Sequence, residues 1–170
     1  MTLDQLNRLD DAAARAALER CCGARRWVEH VCAARPYRDR AALAAAAERA
    51  FDGLERADWL EAFAHHPRIG DMASLRAKYA STAAWAGEEQ RGATTAGEVT
   101  LEALAGGNRA YEERFGYIFI VCATGKSADE MLALLRARLP NLPERELRIA
   151  AEEQMKITRL RLSRLLESDE

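Results

Sequence analysis

One short stretch, "EAFAHHPRIGD" from Glu61 to Asp71, places two histidines side by side at a point where a helix must stop. Imidazole titrates near neutrality, with an ordinary pKa of about 6.5, so either ring can take up or release a proton at physiological pH. Pro67 disfavours helical geometry at His66 and Gly70 permits a turn, so both rings are expected at a helix end, at the surface or in a cleft. Neighbouring side chains on a helix diverge by about 100°, which is wrong for two ligands of one ion, and no metal site is expected. Local physics leaves open which histidine would do the work.

Other groups with chemical potential lie further along. "WAGEEQRGA" carries Ala86, Glu89 and Gln90, "YIFIVCATG" runs through Phe119, Ile120, Val121, Cys122 and Ala123, and Arg161 stands on a C-terminal amphipathic run. Each has an ordinary explanation by itself. A histidine caps a helix, "GEEQ" makes a polar turn, and Arg161 joins Arg159 and Arg164 as a solvated helix charge. Cys122 with His66 would make a hydrolase nucleophile and base, although an apolar run raises a thiol's pKa and weakens it. "GDMAS" and "GGNRA" fit neither GxGxxG nor GxxxxGK[ST], which disfavours a phosphate-cradling loop.

Composition narrows the partners. Twenty-five Lys and Arg against 27 Asp and Glu leave a formal charge of -2, so no global field draws nucleic acid or an anionic membrane surface. Lysine occupies only positions 78, 126 and 156, an arginine bias that, like the abundance of alanine, is read as genome composition. Cys21, Cys22, Cys32 and Cys122 show neither CxxC spacing nor a disulfide framework, which fits a reducing compartment. "MTLDQLNRLD" has the pattern of neither an export nor an organelle signal, "LESDE" is not a peroxisomal address, and no window approaches the roughly 18 apolar residues of a membrane span. The expectation is a cytoplasmic protein whose partners are small molecules or protein.

The elements that must position these groups read as helices. Thr2 with Gln5 forms a capping box, Asp10 caps "AAARAALERCC", and "ARRWVEHVCAA" sets Trp27, Val31 and Ala34 on one face before Pro36. Asp39 caps "RAALAAAAERAFDGL", with Leu43, Ala47 and Phe51 as its apolar stripe, and "DWLEAFAH" leads into the histidine turn. The stretch from Ser81 to Glu98 reads as broken, with short turns around Trp85 and Glu89, before a helix over roughly 97–114. Ser127 caps "ADEMLALLRARL", and Pro143 opens a final helix to about Leu166 with Leu147, Ala150, Gln154, Ile157 and Arg161 along one side. "FGYIFIVCATG" is the only strongly β-prone run, and one strand cannot make a sheet. The reading is therefore all-α: a single compact bundle of about eight helices spanning 1–170, with one extended buried segment near 117–123.

Taken together, the order and spacing of these blocks resemble a known family. "AHHPRIGD", "WAGEEQRGA", "NRAYEERFGYIFIVCATGKSADEML" and "RLPNLPERELRIAAEEQMKITRLRLSRLL" are similar to the OHCU decarboxylases, which act on 2-oxo-4-hydroxy-4-carboxy-5-ureidoimidazoline. The likeness covers nearly the whole chain and is thinnest over residues 1–25, and "HPRIG" and "NxxYxxRFGxxFI" are its specific blocks. It implies the last of three steps from urate to (S)-allantoin, on an all-α, cofactor-free and homodimeric protein. By the same resemblance His66 matches the catalytic histidine and Pro67 the proline after it. Glu89 and Gln90 match an acid–amide pair that meets substrate, Phe119 to Ala123 a segment whose backbone lines the pocket, and Arg161 the arginine of the last helix. Ala86 stands where the family often has serine.

The chemistry agrees with that implication. Decarboxylation needs an electron sink, usually supplied by pyridoxal or thiamine, and here the substrate's own ring imine beside the departing carboxylate can serve. The protein then has only to orient and to move protons, with His66 for proton transfer, Arg161 as a planar fork for a carboxylate or developing oxyanion, and Glu89 and Gln90 for the ureido and ring N–H groups. Backbone groups of 119–123, with no sheet partner, would be free to bond a planar ligand. A non-enzymatic helical interaction module would account for the amphipathic helices but gives no reason for "HHPRIG".

Overall fold

A computed structural model describes residues 1–68, 70–79 and 90–167. Among them there are nine helices and no strand, as the all-α reading expects. They are α1 (Leu3–Arg8), α2 (Asp11–Glu19), α3 (Arg25–Ala33), α4 (Arg40–Asp52), α5 (Arg56–Ala64), α6 (Met72–Tyr79), α7 (Gln90–Phe115), α8 (Ala128–Arg138) and α9 (Pro143–Glu167). Their starts follow side-chain chemistry. Thr2 and Gln5 exchange the two bonds of a capping box, Asp10 accepts from the Ala13 N–H at 2.8 Å, and Asp39 from Ala42 at 2.7 Å. Ser127 and Glu130 cap α8 reciprocally, and each such cap satisfies helix N–H groups that have no partner inside the helix.

The chain falls into two compact units. The first holds Met1–His66, Ile120–Cys122 and Ile149–Glu170, hence α1 to α5 and most of α9. Trp27, Val31, Leu43, Ala47 and Phe63 are buried in it, and the Trp27 indole N–H donates to the Ala47 carbonyl at 3.0 Å. The second holds Pro67–Phe119 and Ala123–Arg148, with α6, α7, α8 and the first turns of α9. Gly107 on α7 makes close packing against α8 possible, because a Cβ there would overlap the Leu135 side chain. A buried cluster closes this unit. Tyr111 donates to Glu146 at 2.5 Å, Arg138 donates through Nε to the same oxygen at 2.7 Å, and Asn141 donates to the other carboxylate oxygen at 2.9 Å.

Several expectations need correction. Ala34 is exposed while Trp27 and Val31 are buried, because α3 ends at Ala33 and Ala34 is its C-cap rather than part of its apolar face. Helix α6 was not among the expected elements. It is short, buries only Leu75 and Tyr79, and is announced by little more than the Asp71 carboxylate, which accepts from the Ser74 N–H at 2.8 Å. Helix α7 begins at Gln90 rather than near 97, running through Gly92 and Gly97. Extending an existing helix costs much less than starting one, so isolated glycines and threonines do not stop it. The turn expected around Trp85 and Glu89 lies outside the described residues. Segment 117–123 is irregular backbone, and only Tyr117 and Ile120 in it are buried.

Candidate functional site

The histidine turn is built as the proline and glycine require. Helix α5 ends at Ala64, His65 is its C-cap, and the His66 N–H donates to the Phe63 carbonyl at 3.2 Å. The two rings have separate fates. His65 is exposed and packs over Gly23 so closely that any Cβ at that position would overlap it, which makes glycine a requirement there. His66 is half-buried, and its Nε2 lies 2.6 Å from Oε1 of Gln154 on α9. Gln154 is fully buried and donates through Nε2 to the Thr158 hydroxyl at 3.2 Å. The hydroxyl in turn donates to the Gln154 carbonyl at 2.9 Å.

Burial pushes the His66 pKa below the ordinary 6.5, and the positive charges of Arg161 and His65 push the same way, against the opposing effect of the Gln154 hydrogen bond. The shift favours the neutral ring at pH 7. Arg161 follows Gln154 by two helical turns, which returns it to nearly the same face of α9. Its Nη1 donates at 3.4 Å to the Arg20 carbonyl, and among the described residues no carboxylate pairs with it. A half-buried guanidinium in that situation keeps most of its donors for a ligand. The charge also acts on buried Cys21, where burial nevertheless wins and lifts the thiol to about 11.

Ile120, Val121 and Cys122 belong to the same unit as His66 and Arg161, whereas Phe119 and Ala123 on either side belong to the other, as does Pro67. The expectation that this backbone is free for a ligand needs adjusting, because the Cys122 N–H donates to the Glu153 carboxylate at 2.7 Å. Glu153 thus pins the segment to α9. Within the second unit Phe119 packs edge-on to Tyr111 at 5.1 Å between centroids, and the Arg138 guanidinium lies 4.6 Å over its ring. Glu89 and Ala86 lie outside the described residues, and Gln90 is the first residue of α7. A groove of about 180 Å³ in the first unit is lined by Leu43, Ala47, Met155, Arg159 and Leu162 and includes neither His66 nor Arg161, so it is no part of this site. Among the described residues no cluster of His, Cys, Asp and Glu is arranged to hold a metal ion.

A family model described as OHCU decarboxylase matches residues 7–163. The chain belongs to that family. It is 37% identical over 145 residues to the uric acid degradation bifunctional protein TTL of Arabidopsis thaliana, covering 85% of this chain but only 45% of that protein. It is 29% identical over 170 residues to a 2-oxo-4-hydroxy-4-carboxy-5-ureidoimidazoline decarboxylase of Haloferax volcanii, covering 99% of this chain and 98% of that one. A crystal structure of an OHCU decarboxylase in the presence of (S)-allantoin superposes with a TM-score of 0.71 at 32% identity, over 94% of this chain and all of that one. The family's all-α fold is therefore the fold of this chain.

Sequence reasoning missed two residues here, Gln154 and Glu153. Gln154 was legible as a polar side chain inside an otherwise apolar stripe seven positions before Arg161, and its burial shows that it is not a solvent-facing interruption. Glu153 left no such signal, because an acid one position around the helix looks like any surface charge.

Proposed function

We propose that this chain decarboxylates 2-oxo-4-hydroxy-4-carboxy-5-ureidoimidazoline to (S)-allantoin in urate degradation, without a cofactor. The observation that carries the reading is a half-buried His66 whose pKa burial lowers, on the same side of α9 as a guanidinium that no acid neutralises among the described residues. Arg161 holds the substrate carboxylate, or the oxygen that gains charge as the C–C bond breaks. As CO₂ leaves, its bonding pair passes into the ring and onto the imine nitrogen, which takes up a proton from solvent, so no external sink is needed. A neutral imidazole first accepts a proton, here from the ring hydroxyl as it becomes a carbonyl, and then returns one to the adjacent ring carbon.

Protonation from one side sets the configuration of the product. Glu89 assists this transfer, while Gln90, Pro67, Ala86 and the segment Phe119, Ile120, Val121, Cys122 and Ala123 orient the ring. The family resemblance supports these roles residue by residue except at Ala86, which stands where the family often has serine. The partners proposed are this small substrate and a second copy of the chain in a homodimer, in the cytoplasm. No described helix is long and apolar enough to cross a membrane.

The test supplies freshly generated substrate to the purified protein and follows the circular dichroism of the allantoin formed. Rapid appearance of the S enantiomer is expected. Racemic product at the uncatalysed rate sinks the proposal, and unchanged turnover in Cys122→Ala removes the rival hydrolase.

A further inference from the structure

The contacts around Gln154 determine more than the position of His66. A threonine hydroxyl has one hydrogen, and that of Thr158 goes to the Gln154 backbone carbonyl at 2.9 Å. Toward the Gln154 side chain, 3.2 Å away, Thr158 can then only accept, so the NH₂ end of the amide faces Thr158. The oxygen end must face His66, where Oε1 lies 2.6 Å from Nε2. An amide oxygen has no hydrogen to give, so the proton in this bond belongs to the histidine.

Both Gln154 and Thr158 have no exposed surface, so reversing the amide would set its oxygen against the Thr158 oxygen with no water to relieve it, for as long as the hydroxyl hydrogen stays on the Gln154 carbonyl. We infer that Gln154 is a positioning residue which locks His66 as the Nε2–H tautomer and leaves Nδ1 as the nitrogen that exchanges protons with the substrate. The catalytic part of this inference rests on the reading of His66 as the proton-transfer group. The tautomer itself does not.

An amide suits this task better than a carboxylate. It orients the ring equally firmly, but it lacks the negative charge that would stabilise imidazolium and keep the ring protonated near neutrality. The charged groups that act on the ring, Arg161 from α9 and His65 beside it, are both positive or become so, and they also favour the neutral form. Neutral Nδ1 is then ready to accept a proton, and once protonated it gives that same proton up.

The test has a spectroscopic arm and a kinetic arm. In the full chain labelled with ¹⁵N-histidine, long-range proton–nitrogen correlation above the His66 titration should show a protonated Nε2 and an unprotonated Nδ1, with no tautomer averaging. His66→Asn identifies the signals against those of His30 and His65. A ring carrying its proton on Nδ1, or an averaged pair, overturns the inference whatever the activity. Gln154→Met should restore averaging and lower kcat about 10- to 100-fold with KM nearly unchanged, the usual range for a group that orients another. Gln154→Glu should keep the tautomer but move the acid limb of kcat/KM to higher pH, a shift that a purely structural residue would not cause. If the locked tautomer is found in a protein that does not turn over the substrate, the functional reading fails and the tautomer stands.

Discussion

Replacing Arg161 by lysine separates a substrate clamp from a surface charge. The structural cost should be small, because the only described bond of the side chain is at 3.4 Å to the Arg20 carbonyl, the long end of hydrogen-bond range. Stability should stay within about 0.5 kcal/mol of the parent. The catalytic cost should be large. Lysine keeps the charge but loses the planar two-point fork, and removal of one such donor from a developing oxyanion costs about 2 to 4 kcal/mol, a fall in kcat/KM of roughly 30- to 1000-fold.

Arg161→Gln adds a second readout. With His66 working as a base, activity rises with pH through the folded-state pKa of the ring, which lies below 6.5. Removing the arginine removes one cause of that depression, so the acid limb should move up towards 6.5. Arg159→Lys and Arg164→Lys are the controls. Arg159 is paired with Glu48, and the two positions lie about 200° and 300° around the helix from Arg161. The assay follows (S)-allantoin by circular dichroism, with thermal melts alongside. Near-parental turnover in Arg161→Lys, or equal losses in the three variants, would refute the assignment.

Further expectations concern the rest of the site and its support. His66→Ala should lower kcat by about 100-fold or more, the usual range for acid–base residues, while His65→Ala keeps most activity; equal losses would contradict the division of the pair. Glu146→Ala leaves Arg138, 7% exposed, without its carboxylate, and should cost about 3 to 5 kcal/mol in chemical denaturation, whereas Glu146→Gln should recover part of this. EDTA should leave turnover unchanged, and inhibition that zinc reverses would refute this.

The helices were readable because their signals are local. Caps at Thr2, Asp10, Asp39 and Ser127, a proline opening α9 and alanine-rich apolar stripes act within a few residues of each other, so one strand of text contains both partners. The histidine stop was legible for the same reason, since Pro67 acts on the residue just before it. Helix α6 was not, because its good helix formers span only eight residues with little periodicity, nor were the first turns of α7, where glycine and threonine lower the propensity and helix propagation settles the case.

What the sequence left open was which of two adjacent histidines differs from the other. Nothing local distinguishes them. The distinction comes from partners far along the chain: Gly23, which only a residue without a side chain can be where His65 packs, and Gln154, which lies 88 positions from His66 and meets it at 2.6 Å. The role of Glu153 at the Cys122 N–H arises in the same way. The sequence determined the helices and their stops through short-range sterics and capping. Only tertiary structure decided burial, pKa and tautomer, because desolvation and a fixed hydrogen-bond chain exist only once distant segments have excluded water from between them.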